Sequence, residues 1–146
     1  MKPGLKEQFA GRWSKYFPGA SLPLVFYYTD DPGTAPVHRV TDGRHCFIDE
    51  LAAVRAGKTL GFDTKSIACP GGKRYLGFSQ ALMPNFEFFL SCGIEGKLEG
   101  ERYKKSPELV KEWLSQAPAF TAPAKYIVFK RWDALEETDR PEVVVF

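Results

Sequence analysis

The sequence has no long apolar segment and no excess of either charge. Its longest mostly apolar run, Leu22 to Tyr28, is far shorter than the roughly 20 residues of a membrane-spanning helix, and the first residues resemble no apolar leader. The 20 basic and 18 acidic residues nearly cancel, which leaves a net charge of +2. Nucleic-acid-binding surfaces need clustered positive charge. We therefore expect a cytoplasmic protein that binds neither a membrane nor a nucleic acid.

Cysteine is scarce and lacks close pairs. The three cysteines, Cys46, Cys69 and Cys92, form no C-x-x-C motif, whereas structural zinc sites normally use such pairs. Without a secretory signal we expect reduced thiols. Thiolates nevertheless select zinc, copper(I) or iron–sulfur clusters. One alternative is therefore a metal- or iron–sulfur-binding protein that uses the three cysteines, with His45 or His38 completing the ligand set.

A nucleophilic thiol is a second use of the same residues. Cys46 is predicted in the first turns of a helix, where the helix dipole favours a thiolate, but the adjacent His45 points about 100° away around a helix. Cys69 lies beside glycine N–H groups that could stabilise an oxyanion. No residue stands out as the base, so covalent catalysis stays a weaker hypothesis.

The chain is rich in aromatic residues and otherwise ordinary in composition. Aromatic residues make up 14%, including 12 Phe, while hydrophobic residues make up 44%. These values favour a folded chain, and 146 residues fit one domain over residues 1–146. Most aromatic rings are expected in the core, and some could line a ligand pocket. The carboxylate pairs are interpreted as solvated: Asp30-Asp31, Asp49-Glu50 and Glu136-Glu137.

The apolar periodicity predicts an α+β fold. Ser106-Pro107 is typical of a helix start, with serine as the cap and proline in the first turn. Residues 86–92 fit either a helix or a strand. The other predicted elements are helices near residues 5–17 and 44–56, the latter capped by Thr41 or Asp42, and strands at 22–28, 60–62, 125–130 and 142–146. We expect one mixed or antiparallel sheet of about four to five strands, flanked by three to four helices.

The most unusual local feature runs from Cys69 to Gly77, with the sequence C-P-G-G-K-R-Y-L-G. Three glycines and a proline predict an irregular turn, with a helix opening near Tyr75. Successive N–H groups in such a turn can form an anion-binding nest, and Lys73 and Arg74 would add charge-assisted hydrogen bonds. The nucleotide-binding patterns G-x-x-x-x-G-K-[ST] and G-x-G-x-x-G are absent.

Our leading hypothesis is a domain that binds a small ligand or an anion, since this turn has the least generic chemistry in the chain. The site would lie where the turn meets the helix that holds Cys46. The ligand-binding residues would be Cys46, Cys69, Gly71, Gly72, Lys73 and Arg74. A plain structural turn remains the simpler alternative.

The predicted strand from Glu142 to Phe146 suggests a third alternative. It is apolar along most of its length, and an unpaired apolar strand exposes an edge that recruits a partner. The chain would then be a structural or interaction module that forms a homodimer through this strand.

Several motifs in order resemble a known family. They are His45-Cys46 with Leu51, Gly57-Lys58-Thr59-Leu60, Cys69-Pro70-Gly71-Gly72 with Leu76-Gly77, Glu101-Arg102-Tyr103 with Ser106-Pro107-Glu108, and Pro141 to Phe146. Together they are similar to the domain of unknown function 169 family of bacteria and archaea. The resemblance implies no activity, because that family is uncharacterised. It also implies that this chain corresponds to the N-terminal part of members that continue further.

Overall fold

The computed structural model describes residues 4–33, 35–38 and 46–146. Within these ranges the chain forms one four-stranded sheet, five α-helices and a short 3-10 turn, which confirms the α+β prediction. The five helices exceed the three to four expected, and two of the five are only four and six residues long. The elements are α1 (Leu5–Tyr16), β1 (Leu24–Thr29), α2 (Phe47–Arg55), β2 (Leu60–Phe62), α3 (Pro70–Tyr75), α4 (Phe86–Phe89), α5 (Pro107–Gln116), β3 (Tyr126–Arg131), the 3-10 turn (Trp132–Ala134) and β4 (Val143–Val145).

The sheet has the strand order β2-β3-β1-β4, and all of its strand pairs are antiparallel. Phe26 of β1 lies opposite Phe129 of β3, and Val25 lies opposite Lys130. Because successive side chains alternate between the two faces of a sheet, this register places Phe26 and Phe129 on one face. Val25 and Lys130 lie on the other.

The face that carries Phe129 holds the main apolar core. Phe62 and Phe129 are almost fully buried, and both rings contact Phe47 of α2. Val54, about two helical turns further along α2, is also buried in this cluster. Such close aromatic packing explains much of the phenylalanine content.

The opposite face has a thinner cover. Phe9 of α1 packs on Trp132, with ring centroids 4.2 Å apart, and the indole N–H of Trp132 donates to the carbonyl of Lys6. No described side chain of α1 is fully buried. Helix α1 therefore leaves part of this sheet face uncovered, and the segment that follows Leu135 covers that part.

Two helix starts show how local sequence sets the boundaries. The hydroxyl of Ser106 accepts a hydrogen bond from the N–H of Leu109, and Pro107 occupies the first turn, as predicted. Helix α2 begins at Phe47, with Cys46 as its cap residue in an extended conformation. The predicted caps Thr41 and Asp42 lie outside the described residues.

Among the described residues, no helix combines the length and the apolar character that a membrane crossing requires.

Candidate functional site

The segment from Cys69 to Gly77 contains a short helix rather than an irregular turn. Helix α3 begins at Pro70 and ends at Tyr75, so the prediction of a helix opening near Tyr75 was wrong. Cys69 is the cap residue, and its Sγ accepts a hydrogen bond from the N–H of Gly72 at 3.3 Å. Proline in the first helical turn costs nothing, because the N–H it lacks would have no partner there.

Helix formation uses most of the backbone donors that the nest hypothesis needs. The N–H of Gly72 is bonded to Cys69 Sγ, and the N–H of Lys73 donates to the Cys69 carbonyl at 3.0 Å. Both of these N–H groups are therefore already bonded within the segment, which leaves fewer free donors for an anion than the nest hypothesis assumes. An anion site at the two glycines stays a prediction.

Gly72 has a packing role. A β-carbon at this position would lie 2.9 Å from Cβ of Phe47 and 3.3 Å from Cγ2 of Ile67. Glycine is needed because helices α2 and α3 approach closely here. The cavity beside this contact, which Cys69 and Phe47 help to line, measures about 10 Å³. That is room for one water molecule at most.

The three thiols have different surroundings. Cys46 and Cys92 are exposed, Cys69 is half-buried, and all three are free. In the parts of the chain that the structure describes, no group of three or more His, Cys, Asp or Glu residues could hold a metal ion. His38 is paired with Glu50 at 3.1 Å, and His45 lies outside the described residues.

The C-terminal end of α3 borders a groove of about 500 Å³. Arg74 and Tyr75 form one wall. The opposite wall comes from α5 and the segment after it, and the full lining is Arg74, Tyr75, Gln80, Trp113, Gln116, Ala117, Pro118 and Phe120. Within the described part of the chain, Arg74 is the only charged residue of this lining. The volume is in the range of small-molecule sites.

Hydrogen bonds hold the two walls together. Arg74 Nη1 donates to the carbonyl of Gln80 at 2.9 Å, and Gln80 Nε2 donates to the carbonyl of Phe120 at 2.5 Å. Below them, the carbonyl of Gly77 accepts from the N–H of Ala122 at 2.9 Å. Gly77 has φ +77°, and a β-carbon on it would overlap the Ala122 backbone. Glycine at this position therefore allows the two segments to meet.

A second cavity, of about 310 Å³, lies on the thinly covered sheet face. It contains a buried ion pair: Lys130 Nζ lies 2.7 Å from Asp139 Oδ2, and each side chain is only 7% exposed. The hydroxyl of Tyr27 donates to Asp139 Oδ1 at 2.7 Å. The N–H of Glu136 donates to Asp139 Oδ2 at 2.8 Å. Asp139 thus fastens the segment after Leu135 onto the sheet.

The network sets the ionisation of its members. Burial alone would raise the pKa of Asp139, but the N–H of Glu136, the ammonium of Lys130 and the hydroxyl of Tyr27 hold that pKa below its ordinary value. Burial and the neighbouring carboxylate raise the pKa of Tyr27 well above its ordinary value. Asp139 is therefore a stable carboxylate, and Tyr27 is a permanent hydrogen-bond donor, at neutral pH.

The sequence indicates the first of these sites only in part and the second not at all. Arg74 is a predicted ligand-binding residue, but the predicted anion lies at the glycines, and neither Lys130 nor Asp139 is among the predicted site residues. Strand alternation was the available signal for Lys130, because Lys130 and Val128 are two residues apart in a strand and so share one sheet face. For the groove wall around Phe120, which follows α5 without forming an element, the sequence contains no local signal.

The fold and the groove define an α+β protein with an aromatic surface groove. Comparison with protein families then identifies it. The model for domain of unknown function 169, described as an uncharacterised ArCR family, matches residues 21–146, so the chain belongs to this family. The comparison with curated proteins gave no match, and the comparison with solved structures gave none either.

Proposed function

We propose that the chain is a small-ligand-binding domain that holds an anionic molecule in the groove beside Arg74. The observation that carries the proposal is that one guanidinium is the only charge in the lining of a 500 Å³ groove with mostly apolar walls, within the described residues. A lone charge beside apolar surface is less screened than one in open water. It therefore favours a ligand group of opposite sign.

The guanidinium of Arg74 has N–H donors that are not bonded within the described residues. Nη1 is bonded to the Gln80 carbonyl, which fixes the side chain at the groove wall. No bond from Nη2 or Nε is present within the described chain. A planar guanidinium presents such donors as a fork that matches a carboxylate, sulfonate or phosphate. The anchor at Gln80 reduces the entropy that Arg74 would lose on binding.

The proposed ligand still lies at the Cys69–Gly77 segment, but at the C-terminal end of α3 instead of at the two glycines. Arg74 contacts the ligand, and Lys73 is its half-buried neighbour on the helix. Cys69 and Gly72 contribute by shaping and packing α3. The cavity at Lys130 is the weaker candidate, because Asp31, Glu136 and Asp139 also line it and offset its positive charges.

The test is a titration of ¹⁵N-labelled protein with anilinonaphthalene sulfonate, an anion with a flat apolar body. We expect the indole N–H signal of Trp113 to shift, while the signals of Trp13 and Trp132 serve as internal references. Arg74→Gln should weaken binding roughly tenfold or more, as expected for a lost charge-assisted hydrogen-bonded pair.

Arg74→Lys keeps the charge without the fork, so its affinity should be intermediate. Arg12→Gln removes an exposed charge on α1 and is the matched control, with affinity unchanged. No shift of the Trp113 signal at millimolar probe, or equal affinity in the wild type and Arg74→Gln, would contradict the proposal.

A second candidate role rests on the position of β4. This strand lies at the edge of the sheet and pairs with β1 alone among the described strands. Val143 and Val145 are 41% and 38% exposed, and an open apolar edge can pair with another strand. We propose that two copies associate through β4. Light scattering after size exclusion should show a dimer that Val145→Lys converts to a monomer, and a wild-type monomer would contradict this.

A further inference from the structure

We infer that the groove ligand is a flat aromatic or heteroaromatic acid, recognised by ring stacking as well as by charge. This inference rests on the proposed function, because it names the chemical class that the Arg74 groove would take. Its basis is the set of rings in the lining: Tyr75, Trp113 and Phe120. Rings prefer offset-stacked or edge-to-face contact with other rings, which aliphatic ligands cannot offer.

Tyr75 leaves its ring free for a ligand. It is 73% exposed, and in the described chain no other ring packs on it within stacking distance. Its position at the last residue of α3 is fixed by the same helix that carries Arg74. Tyr75 and Arg74 both line the groove, so the ring and the guanidinium can meet the body and the charged end of one ligand.

Phe120 is a fixed platform on the other wall. One side of its ring packs on Tyr28, with centroids 5.8 Å apart, and its carbonyl accepts from Gln80. Tyr28 is itself fixed, because its hydroxyl donates to the Leu76 carbonyl at 3.0 Å. Phe120 is still 46% exposed. Because the contact with Tyr28 already holds the Phe120 ring in place, the exposed part of the ring loses little entropy when a ligand stacks on it.

The remaining lining also suits a ring with polar edges. Gln80 and Gln116 place carboxamides at the groove, and such groups can meet ring nitrogens or hydroxyls. A groove of about 500 Å³ accommodates a ligand of one or two fused rings with space for water. These features together assign a flat acid of that size rather than a long-chain fatty acid.

The experiment compares two acids of the same charge and similar size, 2-naphthoate and its saturated analogue decahydronaphthalene-2-carboxylate. Affinities are read from the Trp113 indole signal in ¹⁵N-labelled protein. We expect 2-naphthoate to bind about tenfold more tightly, from ring stacking beyond the buried area. In the Tyr75→Leu/Phe120→Leu chain, which keeps the walls apolar and leaves Trp113 as the one aromatic ring of the described lining, this ratio should fall at least about threefold.

Tyr103→Leu is the matched control. Tyr103 is also 73% exposed but lies outside the groove lining, so its removal should leave the ratio unchanged. Equal binding of both acids to the wild type would overturn ring recognition while leaving an anion site at Arg74. A ratio that survives in the doubly substituted chain would overturn the assigned rings. If neither acid shifts the Trp113 signal, the proposed function fails as well.

Discussion

Gly72 of α3 lies against the base of the Phe47 side chain in α2, at a separation that leaves no room for a β-carbon. Phe47 is itself buried between Phe62 and Phe129, so it cannot move aside without disturbing the core. The two glycines of the C-P-G-G sequence therefore differ in role. A β-carbon on Gly71 would meet only Cys69 Sγ, at an ordinary contact distance of 3.8 Å.

This difference predicts opposite effects of the same substitution. Gly72→Ala should lower the free energy of unfolding by about 1–3 kcal/mol, the usual cost of overpacking a core. Gly71→Ala should leave it unchanged or raise it by about 0.4–1 kcal/mol, because alanine restricts the unfolded chain and favours helix. Urea unfolding followed by circular dichroism measures both. Equal effects of the two variants would refute the packing role of Gly72.

The buried pair Lys130–Asp139 should be sensitive to loss of one charge. Asp139→Asn removes the nearer and buried carboxylate from the Lys130 ammonium and leaves only the more exposed Glu136, 3.6 Å away. We expect a loss of about 3 kcal/mol in the free energy of unfolding. The control is Asp133→Asn, which breaks the more exposed pair with Arg131 and should cost about 1 kcal/mol or less. Chemical denaturation of both variants at pH 7 tests this. A cost for Asp139→Asn no larger than for Asp133→Asn would show that the pair does not fasten the segment.

The same network predicts a dependence of stability on acid pH. The pKa of Asp139 is lower in the folded chain than in the unfolded one. Its contribution is therefore full above about pH 4, the unfolded pKa, and is lost as the pH falls through the folded pKa. The stability difference between wild type and Asp139→Asn should narrow between about pH 5 and pH 2. A difference that is constant over this range would contradict the assignment.

The cap of α3 gives a test of what Cys69 does. If Sγ acts as the helix cap seen in the structure, Cys69→Ser should preserve or slightly raise stability, since serine is a preferred cap residue. Cys69→Ala should cost about 0.5–2 kcal/mol. Thermal unfolding of the two variants distinguishes them. A serine variant that is as unstable as the alanine variant would show that the cap is unimportant.

Sequence patterns predict the elements whose apolar period is strong. The strand from Tyr126 to Arg131 and the helix that follows Ser106-Pro107 are close to their predicted positions. The same cap-plus-proline pattern is present at Cys69-Pro70, where the two glycines that follow favour a turn on propensity alone. The sulfur of cysteine can accept a hydrogen bond, but cysteine is an uncommon cap residue. The pattern therefore does not predict a helix there.

Local sequence patterns do not predict contacts between residues that are far apart in the chain. Asp139 has the surroundings of a solvated loop in the sequence, and its burial depends on meeting Tyr27, which is 112 residues away in the chain. Arg74 is a candidate from the sequence because it is charged and near glycines. Its real neighbours across the groove come from after α5, and nothing in the sequence near Arg74 specifies them.

The hydrogen bond from Gln80 to the carbonyl of Phe120 spans 40 residues of sequence. The chain must close that loop, at an entropic cost, before the two walls face each other. The groove consequently exists only in the assembled tertiary structure. A synthetic peptide that covers Cys69 to Gln80 would carry the cysteine, the glycines and the arginine and still lack the opposite wall of the groove.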